Sequence, residues 1–266
     1  MGGYPGQGGY PEDVQHTSGA AADPGITAVG DAKAVAGLRV SVCIPARNEA
    51  ATVAGIVSQV MAAAREPRSP LVDQVIVVDD GSADTTGAIA GALGACVVRR
   101  DGNPGKGAAM AEALRVATGD IVIFLDADVV NFDLRFVAAL VAPLLTDPGI
   151  VLVKATYDRP DEDGTGGGRV TELLARPLLR RLVPELAFVR QPLAGEVAVR
   201  RRALDGLVLE PGYGVEIGML LDLAHRFGPA AIAQVDLGVR NHRNRPLEEL
   251  AGQADEVLAA VLSRIG

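Results

Sequence analysis

The chain has few cysteines, no long apolar run and no excess of basic charge, and each lack removes a class of protein. Two cysteines, Cys43 and Cys96, among 266 residues do not make a disulfide framework. Both lie in apolar, strand-like runs, "VSVCIP" and "ACVV", and read as small buried hydrophobes, which points to a reducing cytoplasm. No apolar run approaches the roughly 20 residues of a membrane span, so no membrane partner is expected. A formal net charge of −8 argues against a nucleic-acid partner, although it leaves room for a local basic pocket. What is present is apolar surface, 48% of the residues, ample for one large or two small domains.

The first stretch is different material. "MGGYPGQGGYPEDVQHTSGAAADPG" is rich in Gly and Pro, lacks periodicity, and has neither a basic n-region nor an apolar h-region. Neither a signal nor a transit peptide is expected there. Residues 1–37 are expected to be a disordered tail, because too little apolar surface is available to offset ordering entropy. His16 falls in it and receives no role.

From Leu38 the pattern alternates. "LRVSVCIP", "VDQVIVVDD", "ACVVRR", "DIVIFLDAD" and "GIVLVKATY" read as buried strands, separated by amphipathic or Ala-rich helices. In "DTTGAIAGALG", Asp84 is placed to cap the helix start and Gly94 lies near its stop. Such alternation implies a parallel sheet covered on both faces. The second half is less regular: an acidic Gly-rich loop, a Pro-containing helical stretch "VTELLARPLLRRLVPEL", mixed strands, and a closing helix from Leu247. It reads as completing the same domain.

In parallel sheets of this kind the ligand lies beyond the carboxyl ends of the strands. Three of those ends carry polar groups: "PARNEA", "DDGSADT" and "DADVV". Asp126 and Asp128 are one residue apart, and like charges so close repel unless something cationic compensates them. A bare D-x-D can equally be a solvated strand end or an Asx turn. Asp79 or Asp80 could hydrogen-bond a ribose hydroxyl or a base edge, or merely cap and turn. "NPGKG", residues 103–107, opens a helix with free backbone N–H groups and a lysine, which suits phosphate, although a surface glycine turn would look the same. Neither G-x-G-x-x-G nor G-x-x-x-x-G-K-[ST] follows the first strand, so the dinucleotide and Walker readings lose their main support. A divalent cation between carboxylates and a diphosphate would neutralise charge developing on a leaving nucleotide.

Taken together, "PARNEAAT", "VVDDGSADTT" and "DADVV" stand in the order found in nucleotide-sugar-dependent glycosyltransferases of the GT-A fold, which the chain resembles. Tryptophan is absent altogether, which rules out the Q-x-x-R-W of processive inverting members, and no E-D pair marks a catalytic base after the acceptor loop. In the second half, "GGGRVTELLARPLL", "QPLAGE", "PGYGVEIG" and "AIAQVDLGVRNHRNRPL" closely resemble the glucosyl-3-phosphoglycerate synthase family, retaining enzymes of actinobacteria. The resemblance runs from about Ser41 to the C-terminus.

That resemblance implies an α/β fold of GT-A (Rossmann-like) type, a mostly parallel sheet flanked by helices. Residues 38–157 would form the nucleotide-sugar-binding half and 158–266 the acceptor-binding half of one domain. It implies Mg²⁺ or Mn²⁺ held by Asp128 and His242, with Asp126 and Ala127 facing the nucleotide. For the donor it carries over Pro45, Ala46, Arg47, Asn48, Glu49, Asp80 and Lys106, with Tyr213, Gly214, Val215 and Glu216 on the sugar side. It places the acceptor phosphate at Gly168, Arg169, Val170 and Thr171, assisted by Asn244, and names Lys106 and the Leu193 backbone carbonyl as catalytic groups. The family has an apolar residue at Arg47 and a serine at Asp80, and both departures bear on base preference.

"GGGRVT" also has an independent logic: three glycines permit close backbone approach, and Arg169 offers a planar fork for phosphate or carboxylate at a helix start. His225, in "LDLAHRFG", reads as a helix C-terminal histidine interacting with the dipole. The implied activity is retaining transfer of glucose from a nucleotide sugar, UDP-glucose, to the 2-hydroxyl of 3-phosphoglycerate by a homodimer. Two alternatives are a mannosyl or other glycosyl transferase to a related phosphorylated acceptor, and a non-catalytic nucleotide-sugar-binding protein.

Overall fold

The computed structural model describes residues 25–102, 105–158, 168–240 and 247–265. Its strands are β1 (Val40–Ala46), β2 (Gln74–Asp79), β3 (Cys96–Arg99), β4 (Ile121–Phe124), β5 (Leu152–Asp158), β6 (Val197–Arg200) and β7 (Ile232–Val239). They form one sheet in the order β3-β2-β1-β4-β6-β5-β7. β6 runs antiparallel to both its neighbours, while the remaining pairings are parallel.

The apolar strand runs are continuous because both faces are covered. In β1, Val42 and Ile44 enter one core and Cys43 the other. The first core packs against α1 (Ile26–Ala36), α2 (Val53–Ala64) and α5 (Arg135–Thr146). The second packs against α4 (Lys106–Val116), α6 (Arg176–Leu182), α7 (Val215–Phe227) and α8 (Leu247–Ile265), and α3 (Thr86–Ala92) flanks β2 and β3. α6 is entered through a π-helical turn, Thr171–Ala175.

From β1 the chain moves outward through β2 and β3, then returns to the other side of β1 for β4. Such a reversal opens a crevice beyond the carboxyl ends of the strands. The D-x-D follows β4 at that point, with Leu125 N donating to Cys43 O at 3.1 Å.

Two expectations need correction. Disorder does not extend through residues 1–37, since α1 is a helix closed by Gly37 at φ +65°. Its anchor is a buried lysine: Lys33 Nζ lies 2.6 Å from Oδ2 of the more exposed Asp73, which also accepts Val40 N at 2.7 Å. Lys33 inside a weakly amphipathic, Ala-rich run gives no periodic signal, which is why composition pointed the wrong way. Residues 1–24, His16 included, lie outside the described residues. Cys96 is exposed, not buried, because β3 is an edge strand. Cys43 is buried as expected, and burial pushes its thiol up to about 12. Both thiols are free. Among the described residues no helix is long and apolar enough to cross a membrane.

Candidate active site

The rim on the β1–β2 side is built from interlocked turns. Asn48 adopts φ +56°, a conformation asparagine tolerates, and its Oδ1 accepts Ala83 N at 2.8 Å while its own N–H reaches Ser82 Oγ at 3.0 Å. Glu49 N donates to Thr86 Oγ1 at 2.8 Å. The N-cap position of α3 falls on Thr85 rather than the expected Asp84, which stands one residue earlier and accepts Thr86 N at 3.0 Å in an Asx turn leading into the helix. Pro45 and Ala46 end β1, with Ala46 O accepting Asp80 N at 2.9 Å, and Arg47 is exposed beside them. Asp80 is nearly buried and both its oxygens are engaged. One is ion-paired with Arg100, and the other accepts Gly105 N at 2.7 Å.

The backbone cradle expected at residues 103–107 is not free. Gly105 N goes to Asp80, Gly107 N to Gly212 O at 3.3 Å, and Ala108 N to Pro211 O at 2.8 Å. The reason is packing: a Cβ on Gly107 would strike Glu210 O, so the loop before α7 lies directly on the start of α4. Residues 103 and 104 lie outside the described residues. What α4 offers instead is the Lys106 side chain, 2.6 Å from Asp126 Oδ1 and 2.5 Å from Glu216 Oε1.

Asp126 therefore faces cations. Its other oxygen is 2.8 Å from Arg240, whose same nitrogen lies 3.1 Å from Asp128 Oδ1 and 3.0 Å from Glu196 Oε1. The second guanidinium nitrogen donates to the Tyr157 hydroxyl at 2.9 Å. Burial would raise the Asp126 pKa, but Lys106 and Arg240 outweigh it and hold the carboxyl well below the usual range. Burial would likewise lower Lys106, and Asp126 with Glu216 raise it, so the lysine stays charged. Four carboxylates (Asp126, Asp128, Glu196, Glu216) thus face three cations (Lys106, Arg240 and the deeper Lys154).

This set fits a divalent cation. Two hard oxygen donors converge on one point that already accepts positive charge, and the cluster is negative by one charge. Among the described residues no group of three or more candidate ligands occurs, so the rest of a coordination sphere has to come from elsewhere. His242 and Asn244 fall in 241–246, outside the described residues.

The other expected residues divide by location. Ala127 is buried, and its carbonyl accepts Thr52 Oγ1 at 2.7 Å. Val215 and Glu216 open α7 from inside the core, Gly214 packs on α8, and Tyr213 N donates to Glu256 Oε2 at 2.5 Å. Gly168 O accepts Glu172 N at 2.9 Å, which puts exposed Arg169, half-buried Val170 and buried Thr171 in the first turn of a helix. His225 is exposed in the last turn of α7. Leu193 belongs to the loop ahead of β6, and Gly195 of that loop touches Asp126, where a Cβ would collide with the carboxylate.

Arg240, Glu196, Lys154 and Tyr157 were missed. The signal was there: a lysine inside "VLVKATY" and a glutamate inside "AGEVAV" interrupt apolar strands, and charges are rarely buried unpaired.

Comparison with known proteins gives a consistent picture. The model of glycosyl transferase family 2 matches residues 41–205. Glucosyl-3-phosphoglycerate synthase of Mycobacterium tuberculosis is 48% identical over 263 residues, covering 91% of this chain and 78% of that protein. The Mycolicibacterium smegmatis enzyme of the same name is 49% identical over 245 residues, covering 88% and 80%. The crystal structure of the M. tuberculosis synthase with Mn²⁺, UDP-glucose and phosphoglyceric acid superposes with a TM-score of 0.83 at 47% identity, over 91% of this chain and 84% of that one. Further structures of that synthase hold Mn²⁺, UDP and glucosyl-3-phosphoglycerate, or Mg²⁺ and UDP.

Proposed function

The chain belongs to glycosyl transferase family 2 and, within it, to the glucosyl-3-phosphoglycerate synthases, and from that membership we propose that it transfers glucose from UDP-glucose to the 2-hydroxyl of 3-phosphoglycerate with retention. The observation that carries this reading is the meeting of Lys106, Asp126, Asp128 and Glu216 beyond the ends of β1 and β4. Residues 38–157 would serve the donor and 158–266 the acceptor.

Pro45 to Glu49 and Asp80 border the nucleoside side, and Tyr213 to Glu216 the sugar. Asp128 with His242 would hold Mg²⁺ or Mn²⁺, which when bound supplies Lewis-acid stabilisation of the diphosphate. Lys106, kept cationic by two carboxylates, adds a fixed positive charge beside the leaving group. Arg169 and Thr171, with Asn244, would hold the acceptor phosphate.

Retention without an assigned protein nucleophile fits front-face attack. The acceptor hydroxyl bonds to the anomeric carbon on the face the diphosphate leaves, and its proton passes to the departing phosphate oxygen. The Leu193 carbonyl stabilises the oxocarbenium-like centre. Catalysis is then mostly positioning and electrostatics. A cytoplasmic location, supported by two free thiols, and homodimerisation, supported by the resemblance alone, complete the proposal; light scattering tests the dimer.

The test is to incubate the chain with Mg²⁺, 3-phosphoglycerate and a panel of sugar nucleotides. Mass spectrometry should find a hexosyl phosphoglycerate formed from UDP-glucose, with an α-anomeric signal by NMR. A product from another sugar nucleotide only, or none, would overturn the assignment.

A further inference from the structure

Lys154 sits in the middle of β5 between fully buried Val153 and Ala155 and is itself wholly inaccessible. A lysine in such a place costs several kcal/mol unless its surroundings repay it. Burial pushes its ammonium down to about 8 in spite of Glu216, Glu196 and Asp126, with Lys106 opposing them. Its Nζ donates to the Ala194 carbonyl at 3.0 Å. The transfer mechanism gives this residue no work.

The partner carbonyl lies in the loop that carries Leu193. Within that loop Ala194 N donates to Gln191 O at 3.1 Å, closing a turn, and Gln191 Nε2 reaches Tyr157 O at 3.3 Å. Pro192, Ala194 and Gly195 are buried, whereas Leu193 is half-exposed. A peptide unit is planar and trans, so the Leu193 carbonyl points antiparallel to the Ala194 N–H, and fixing the one fixes the other. Ala194 is thus pinned on both sides, its N–H by Gln191 and its own carbonyl by Lys154. The next residue is Gly195, whose missing Cβ both fits it against Asp126 and leaves that peptide free to rotate. A buried carbonyl beside such a hinge needs a fixed donor.

We propose that Lys154 is a positioning residue for glycosyl transfer: by holding the Ala194 carbonyl it fixes the turn 191–194 and with it the direction of the Leu193 carbonyl. The inference rests on the transfer reaction proposed above. Lysine suits the task because its long stem, rooted among the buried residues of β5, carries a donor as far as the Ala194 carbonyl.

Lys154→Met keeps the length of the side chain and removes only the donor and the charge. It is expected to melt at or above the wild-type temperature, to leave both KM values within about threefold, and to lower kcat about 10- to 100-fold, the scale of a misplaced reactive group. Lys154→Gln, which keeps an N–H donor, should recover part of that loss. A folded Lys154→Met with kcat within about twofold of wild type overturns the inference. So does a loss in which either KM rises by as much as kcat falls, or failure of both variants to fold, since each makes Lys154 merely structural. Wild-type protein that forms no glucosylated product removes the transfer reading and this one together. A productive wild type with an unaffected Lys154→Met removes only this one.

Discussion

The two sides of the sheet solve different problems. On the side β3-β2-β1-β4 the strands are apolar and the polar groups wait beyond their ends, tied into turns by Asn48, Ser82, Asp84 and Thr86. On the side β6-β5-β7 charges are buried: Lys154 within β5, Glu196 just ahead of β6 and Arg240 just past β7. The antiparallel insertion of β6 causes the difference. It brings the loop before β6 beside the D-x-D, and of the two cations that compensate Asp126 one, Arg240, comes from a buried position on that side, while Lys106 comes from the start of α4. Buried ion pairs are weak sources of stability, so their presence here reflects what the site needs more than what the fold needs.

That contrast can be broken by substitution. Arg240→Met leaves Asp126, Asp128 and Glu196 facing one cation fewer and should cost about 3–5 kcal/mol in denaturant unfolding. Arg100→Met, which removes a partly exposed guanidinium from buried Asp80 but leaves the Gly105 N–H donating to that carboxylate, should cost less, about 1–2 kcal/mol. Equal losses would erase the distinction between the sides. For the acceptor loop, Arg169→Ala should raise the KM for 3-phosphoglycerate about 10- to 100-fold, as expected for a charge-assisted contact, and leave donor affinity nearly unchanged. Parallel losses for both substrates would make the loop a structural part of the crevice.

A pH titration sharpens the same comparison with a smaller effect. Lys154 ionises at about 8 in the folded chain and at its ordinary 10.5 when unfolded. Between those values the unfolded chain binds more protons, so this residue's contribution to stability rises with pH. Cys43, raised to about 12, acts in the opposite direction above its ordinary 9.0. The difference in unfolding free energy between wild type and Lys154→Met cancels that contribution. It should shift by about 1–3 kcal/mol in favour of wild type from pH 8 to 10.5. A flat difference would mean that Lys154 is not desolvated.

Legibility followed the same division. Continuous apolar runs bounded by Gly and Asp announced the strands, and "DADVV" and "QPLAGE" marked residues that do meet, through Asp126 and Gly195. The cations did not announce themselves. Lys154 and Glu196 read as blemishes in apolar strands, and Arg240 was the first letter of a polar run noticed for His242. The start of α4 was misjudged because the carbonyls that occupy its N–H groups, those of Pro211 and Gly212, arrive from a distant part of the chain. Local pattern reveals period and turn chemistry, whereas long-range pairing of charge and backbone leaves no mark on it.

The most direct test of the account titrates UDP-glucose into wild type and Asp128→Ala by calorimetry, with and without Mn²⁺. Wild type should bind the donor markedly more tightly with the metal. Asp128→Ala, melting normally, should bind it weakly and equally in both conditions. Metal-enhanced binding preserved in the variant would contradict the claim that this carboxylate holds the cation on which the diphosphate rests.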